Sequence, residues 1–82
     1  MVTVDFDDNF IRAVSKIKDN SIKLRIEKLI NKIRENPEIG KPMRNVRKGS
    51  REVYLPPFRI SYAYNKVLNK IIILDFYHKD EQ

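Results

Sequence analysis

Apolar and polar positions recur with two different periods along the chain, and the change of period divides it. Val2, Val4 and Phe6 alternate with Thr3 and Asp5, the two-residue period of a half-buried strand. From Phe10 the spacing lengthens. Phe10, Ala13, Val14 and Ile17 recur in steps of three and four, which places them on one stripe of a helix. Asp7 or Asp8 stands where its first turn needs a cap. Asp19-Asn20-Ser21 then breaks the pattern and supplies a second cap. A longer helix follows, with Ile22, Ile26, Leu29, Ile30 and Ile33 on its inner face. Its outer face carries Lys23, Arg25, Glu27, Lys28, Lys32 and Arg34, and reads as solvated. Asn36-Pro37 ends it, because proline disfavours helical geometry in the residue before it, and Gly40 lies in the exit turn.

The two-residue period then returns. Residues 51–55 read as a strand, Pro56-Pro57 as a turn, 58–64 as the next strand, 65–69 as a polar loop and 71–77 as the last strand. The order β-α-α-β-β-β predicts an α+β fold, a mostly antiparallel sheet with a helical hairpin on one face, in one domain over residues 1–82. Alternation sends Phe58, Ile60, Tyr62 and Tyr64 toward the helices and Arg59, Ser61 and Ala63 to the open side. The last strand is apolar on both faces except at Asp75, which suits a position inside the sheet.

Charge changes this picture more than composition does. The chain has 82 residues and a formal charge of +6. Between Lys41 and Arg59 stand six bases (Lys41, Arg44, Arg47, Lys48, Arg51, Arg59) against one acid, Glu52, leaving eleven bases and ten acids elsewhere. The excess is therefore confined to one segment, the footprint of a phosphate-binding surface, although an ordinary solvated face or a surface for an acidic protein has the same composition. With no cysteine there is no disulfide or thiolate site, and a single histidine, His78, argues against an all-protein zinc or iron site. No signal-peptide pattern opens the chain, and no segment approaches the roughly 20 apolar residues of a membrane span. A cytoplasmic protein without membrane contact is expected.

Three motifs carry a resemblance. Gly40-Lys41-Pro42-Met43 leads through a basic stretch into Arg51-Glu52-Val53-Tyr54-Leu55; Phe58-Arg59-Ile60-Ser61-Tyr62 is an aromatic-Arg-aliphatic-x-Tyr strand; and Phe76-Tyr77-His78-Lys79 closes a strand at His followed by a base. In this order the chain resembles the RelE/ParE toxin superfamily, and its RelE-type members in particular. The resemblance implies the toxin of a type II toxin–antitoxin system, a ribosome-dependent endoribonuclease in which the messenger's 2′-hydroxyl attacks the adjacent phosphate. It implies a RelB-like antitoxin, the ribosome and mRNA as partners, and neither cofactor nor metal. Such chemistry needs a base, cations for the phosphate and an acid for the leaving oxygen.

Carried over residue by residue, Arg59 becomes the phosphate clamp, its paired donors matching two phosphate oxygens. His78 becomes a proton-transfer group and Lys79 a neutralising cation, with a structural histidine and an exposed lysine as the plainer alternatives. Where the best-studied branch has lysines, this chain has Ser50, Arg51 and Glu52. Glu52 is similar to the carboxylate base of a YoeB-like branch, or else an exposed strand residue paired with a neighbouring base. Arg44, Arg47, Lys48 and Arg51 are the expected RNA or ribosome contacts. Many relatives carry a tyrosine just beyond the closing motif; none follows it here up to Gln82, and Tyr77 or Tyr54 stands closest to that role. Two other functions share these residues: a ParE-like inhibitor of DNA gyrase without catalysis, and a non-toxic basic RNA-binding relative.

Overall fold

A computed structural model of the chain describes residues 2–43, 49–78 and 80. Strand β1 (Thr3–Phe6) leads into α1 (Asp8–Ser15), where Asp7 accepts the Asn9 N–H at 2.9 Å as the N-cap. Asp19 caps α2 (Asn20–Glu35) in the same way, accepting from the Ser21 N–H at 2.8 Å and from its hydroxyl at 2.7 Å. Those two bonds, the side-chain one foremost, hold the Asp19 carboxyl below the usual carboxylate range. Asn36 is the C-cap of α2, as the following proline requires.

Four strands complete the chain: β2 (Lys41–Pro42), β3 (Ser50–Leu55), β4 (Phe58–Asn65) and β5 (Lys70–His78). The sheet order is β1-β5-β4-β3-β2, antiparallel except that β1 runs parallel to β5. A parallel neighbour needs a long crossover, and the helical hairpin belongs to the segment between β1 and β5. The α+β architecture is as the sequence predicts. The two-residue β2 was not expected, since so short an element has no period to detect.

The core lies between the sheet and the helices. Ile60 and Tyr62 of β4, Ile71 and Ile73 of β5 and Ile33 of α2 are fully enclosed, with Phe10, Ile26 and Phe76 nearly so. Strand β5 is interior to the sheet, as its two apolar faces predict. Its alternation fails at one point, however. Ser61 pairs with Asp75 but Tyr62 pairs with Ile73, so Leu74 has no register partner on β4. An extra residue of this kind inverts every side chain beyond it. Ile71 and Ile73 face the helices, and after the bulge Phe76 and His78 do so in place of Asp75 and Tyr77.

One polar assembly sits inside this apolar layer. The Tyr62 hydroxyl donates to the Pro37 carbonyl at 2.8 Å and accepts the Gly40 N–H at 2.9 Å. Burial pushes its pKa above the phenol range, with the Gly40 N–H pulling the other way, so it stays a donor at neutral pH. Gly40 is required there: a Cβ would lie 2.8 Å from the Tyr62 oxygen and 3.0 Å from Arg51 Cβ. This assembly fixes the turn leaving α2, and hence the point at which the basic segment begins.

Candidate active site

The open face of the sheet takes its polar residues from three adjacent strands. Arg59 of β4 is the centre of a rung, paired in register with Tyr54 of β3 on one side and Tyr77 of β5 on the other. The next rung is Glu52, Ser61 and Asp75. Cross-strand and diagonal neighbours on one face are within reach of long side chains, and Ser61 is small enough to be spanned. Arg59 Nη1 donates to Glu52 Oε1 at 2.8 Å, and the Tyr77 hydroxyl donates to Glu52 Oε2. The guanidinium also lies 5.8 Å from the centre of the Tyr54 ring. Asp75 accepts the Phe76 N–H at 2.8 Å.

Glu52 is therefore held by a cation on one oxygen and a phenol on the other, with its side chain 17% exposed and that of Arg59 32% exposed. Charge-assisted bonds of this kind are shorter and stronger than neutral ones. Arg59 Nε is buried without a hydrogen-bond partner among the described residues, a desolvation cost of about 1–3 kcal/mol. The grouping offers a cation, a carboxylate and a hydroxyl on one surface that no helix covers. Among the described residues, no three His, Cys, Asp or Glu side chains gather as metal ligands.

The residues singled out in the sequence separate in three ways. Arg59 and Glu52 are brought together, and Tyr77 joins them. His78 is not. It pairs with Phe58, meets that ring edge-on at 5.7 Å between centroids, and borders a pocket with Ala13, Lys16 and Ile17 on the helix side. Its Nδ1 accepts the Asp80 N–H at 3.2 Å. The bulge at Leu74 is the reason, because an unbroken alternation would have exchanged Tyr77 and His78. Arg51 also lies away from the open face. It pairs with the buried Tyr62, and its Nη1 donates to the carbonyls of Glu38 (3.1 Å) and Gly40 (2.8 Å). Arg44, Arg47, Lys48 and Lys79 lie outside the described residues.

The fold and these residues define a small basic toxin domain. The family model for the ParE toxin of type II toxin–antitoxin systems, parDE, matches residues 3–82. The chain belongs to that family, within the RelE/ParE superfamily, and is a toxin of a type II toxin–antitoxin system. Its fold is that of solved RelE structures. It superposes on the toxin of the intact Escherichia coli RelBE toxin–antitoxin complex with a TM-score of 0.80 at 14% identity, covering 95% of this chain and 96% of that one. The Mycobacterium tuberculosis RelBE2 toxin–antitoxin complex gives 0.81 at 22% identity, over 95% and 98%. A metal-bound toxin from Helicobacter pylori gives 0.73 at 20% identity, over 99% and 98%. No curated protein matches the chain in sequence. Identities this low carry the fold, and the chemistry has to be argued from the side chains.

Proposed function

We propose that this toxin is an mRNA endoribonuclease acting on the ribosome, with Arg59, Glu52 and Tyr77 as its reacting groups. The observation that carries this reading is the shared engagement of one carboxylate by Arg59 and Tyr77 on the open face. A phosphate diester entering there competes with Glu52 for the guanidinium, and Arg59 turns its donors to the phosphate oxygens. Glu52, released on that oxygen, takes the proton of the 2′-hydroxyl, whose oxygen forms the new bond to phosphorus. The bond from phosphorus to the 5′-oxygen breaks, and Tyr77 gives that oxygen its proton. Glu52 then returns a proton to Tyr77 through their existing hydrogen bond. Protons balance, and the products are a 2′,3′-cyclic phosphate and a 5′-hydroxyl end. His78, which packs toward the helix side, is given no part in this scheme, and Lys79 remains a candidate cation for the charge on phosphorus.

RelE toxins have been solved with the antitoxin RelB, and a RelB-like antitoxin is the partner this reading expects. The cytoplasm is the expected compartment; no helix among the described residues is long and apolar enough to cross a membrane. The test is incubation of ribosomes, messenger and protein with excess EDTA. Cyclic-phosphate ends support the reading. The family model's ParE description favours a second one, gyrase inhibition without catalysis. Intact RNA together with inhibited DNA supercoiling would establish that alternative.

A further inference from the structure

The solvated outer face of α2 borders a groove on one side. Between α2 and the β3–β4 turn runs a groove of about 230 Å³ with Leu29, Leu55 and Pro56 as its apolar lining. Its charged lining is Arg25, Lys28 and Lys32, with no acid among the residues that form it. The spacings of three and four place these cations on one side of the helix, spread over about 10 Å of its axis. Arg25 is partly committed, since its Nη2 donates to the Pro56 carbonyl at 3.3 Å and pins the helix to the turn. Tyr54 is common to this groove and to the candidate active site, because it lines the groove while Arg59 lies against its ring. Tyr54 is 53% exposed as a residue, unusual for a large aromatic on a strand.

We infer that this groove binds single-stranded RNA flanking the cleavage site, with Tyr54 stacking on a base and Lys28 and Lys32 meeting successive phosphates. The inference rests on the ribonuclease reading for its substrate class. A row of cations continuing from an exposed aromatic ring is the combination that holds single strands, where stacking tolerates any base and the cations follow the backbone. An acidic peptide would satisfy the lysines but leave the ring beside Arg59 without a purpose. The groove therefore extends the site along the backbone rather than forming a second one.

The probe is a roughly 12-nucleotide 2′-O-methyl RNA, which lacks the attacking hydroxyl and stays intact, with binding followed by fluorescence anisotropy across a salt series. The Lys28→Gln/Lys32→Gln double variant is expected to reduce the slope of log affinity against log salt by roughly 1.4, and to weaken binding by roughly tenfold at 0.1 M salt. Tyr54→Ala is expected to weaken binding at least about fivefold with the slope unchanged. A matched Lys18→Gln/Lys23→Gln pair, elsewhere on the surface, should move the slope less than half as far. Equal slopes for the two double variants overturn the inference. So does a Lys28→Gln/Lys32→Gln protein that keeps its RNA affinity but loses a glutamate-rich helical peptide. Ribosomal cleavage by the unmodified protein is scored in parallel. Groove-dependent binding without cleavage sinks the catalytic reading and leaves this one standing, and cleavage with an unaffected slope does the reverse.

Discussion

Arg51 and Arg59 lie on adjacent antiparallel strands, yet their guanidinium groups are committed to different kinds of partner. Arg51 gives one nitrogen to two main-chain carbonyls, those of Glu38 and Gly40, beside the buried Tyr62 hydroxyl. Neither carbonyl can leave without undoing the turn after α2, so that arginine belongs to the fold. Arg59 is paired with the carboxylate of Glu52, a side chain that can rotate away, and keeps a buried Nε unmatched. What separates the structural cation from the proposed phosphate clamp is that only the latter has a side-chain partner that can be exchanged. Residue type is the same for both.

That contrast can be broken by substitution. The largest effect is expected from Arg59→Ala, which should lower cleavage by about a hundredfold or more, near 3 kcal/mol of transition-state stabilisation, with the circular dichroism spectrum retained. Unchanged turnover would move the phosphate clamp elsewhere. Tyr77→Phe should cost roughly a hundredfold if its hydroxyl protonates the leaving oxygen, whereas His78→Gln should cost much less. A reversed ranking in single-turnover rates would mean that the strand end rearranges on the ribosome. On the other face, Tyr62→Phe leaves the Gly40 N–H and Pro37 carbonyl unpaired. A stability loss of about 1–3 kcal/mol is expected, at about 4–8 °C of Tm per kcal/mol, with cleavage by the folded protein unaltered. Reduced turnover at full folding would show that the two faces are coupled.

The smallest effect concerns the cap of α2. The Asp19 carboxyl is held below its ordinary pKa by Ser21, so its stabilising contribution is complete above the unfolded-state value. That contribution is lost as pH falls through the lower, folded value. The gap in Tm between the protein and Asp19→Ala should therefore be constant near neutrality and close only in acid, below the usual carboxylate range. A gap that persists there would assign the cap to the backbone rather than to the charge.

Much of the fold was legible because its signals are local. Asp19, Asn36-Pro37 and the isoleucine stripe of α2 each act within a few residues of themselves. The open-face position of Arg59 followed from simple alternation within β4. Alternation fails in β5, where Leu74 is an extra residue that only pairing with β4 reveals, and that residue decides which of Tyr77 and His78 faces the open side. Arg51 was read with the basic segment as an RNA contact. Its carbonyl partners on residues 38 and 40 come together only because Tyr62 and Gly40 meet in three dimensions. For Glu52 a pairing with a neighbouring base is one of the two sequence readings, but neither Arg59 as that base nor the Tyr77 hydroxyl is specified by it. Tyr77 and Tyr54 stand as alternatives for the role of the relatives' tyrosine, since nothing local announces which face either occupies.

The bulge at Leu74 also bears on how such a toxin can change over generations. Loss of one codon there would flatten the bulge yet keep Asp75, Phe76, Tyr77 and His78 opposite their present partners on β4, and so on their present faces. The phenol beside the carboxylate would remain, without substitution of any residue. The strand can therefore shorten by one residue at this position without exchanging the side chains it presents on either face.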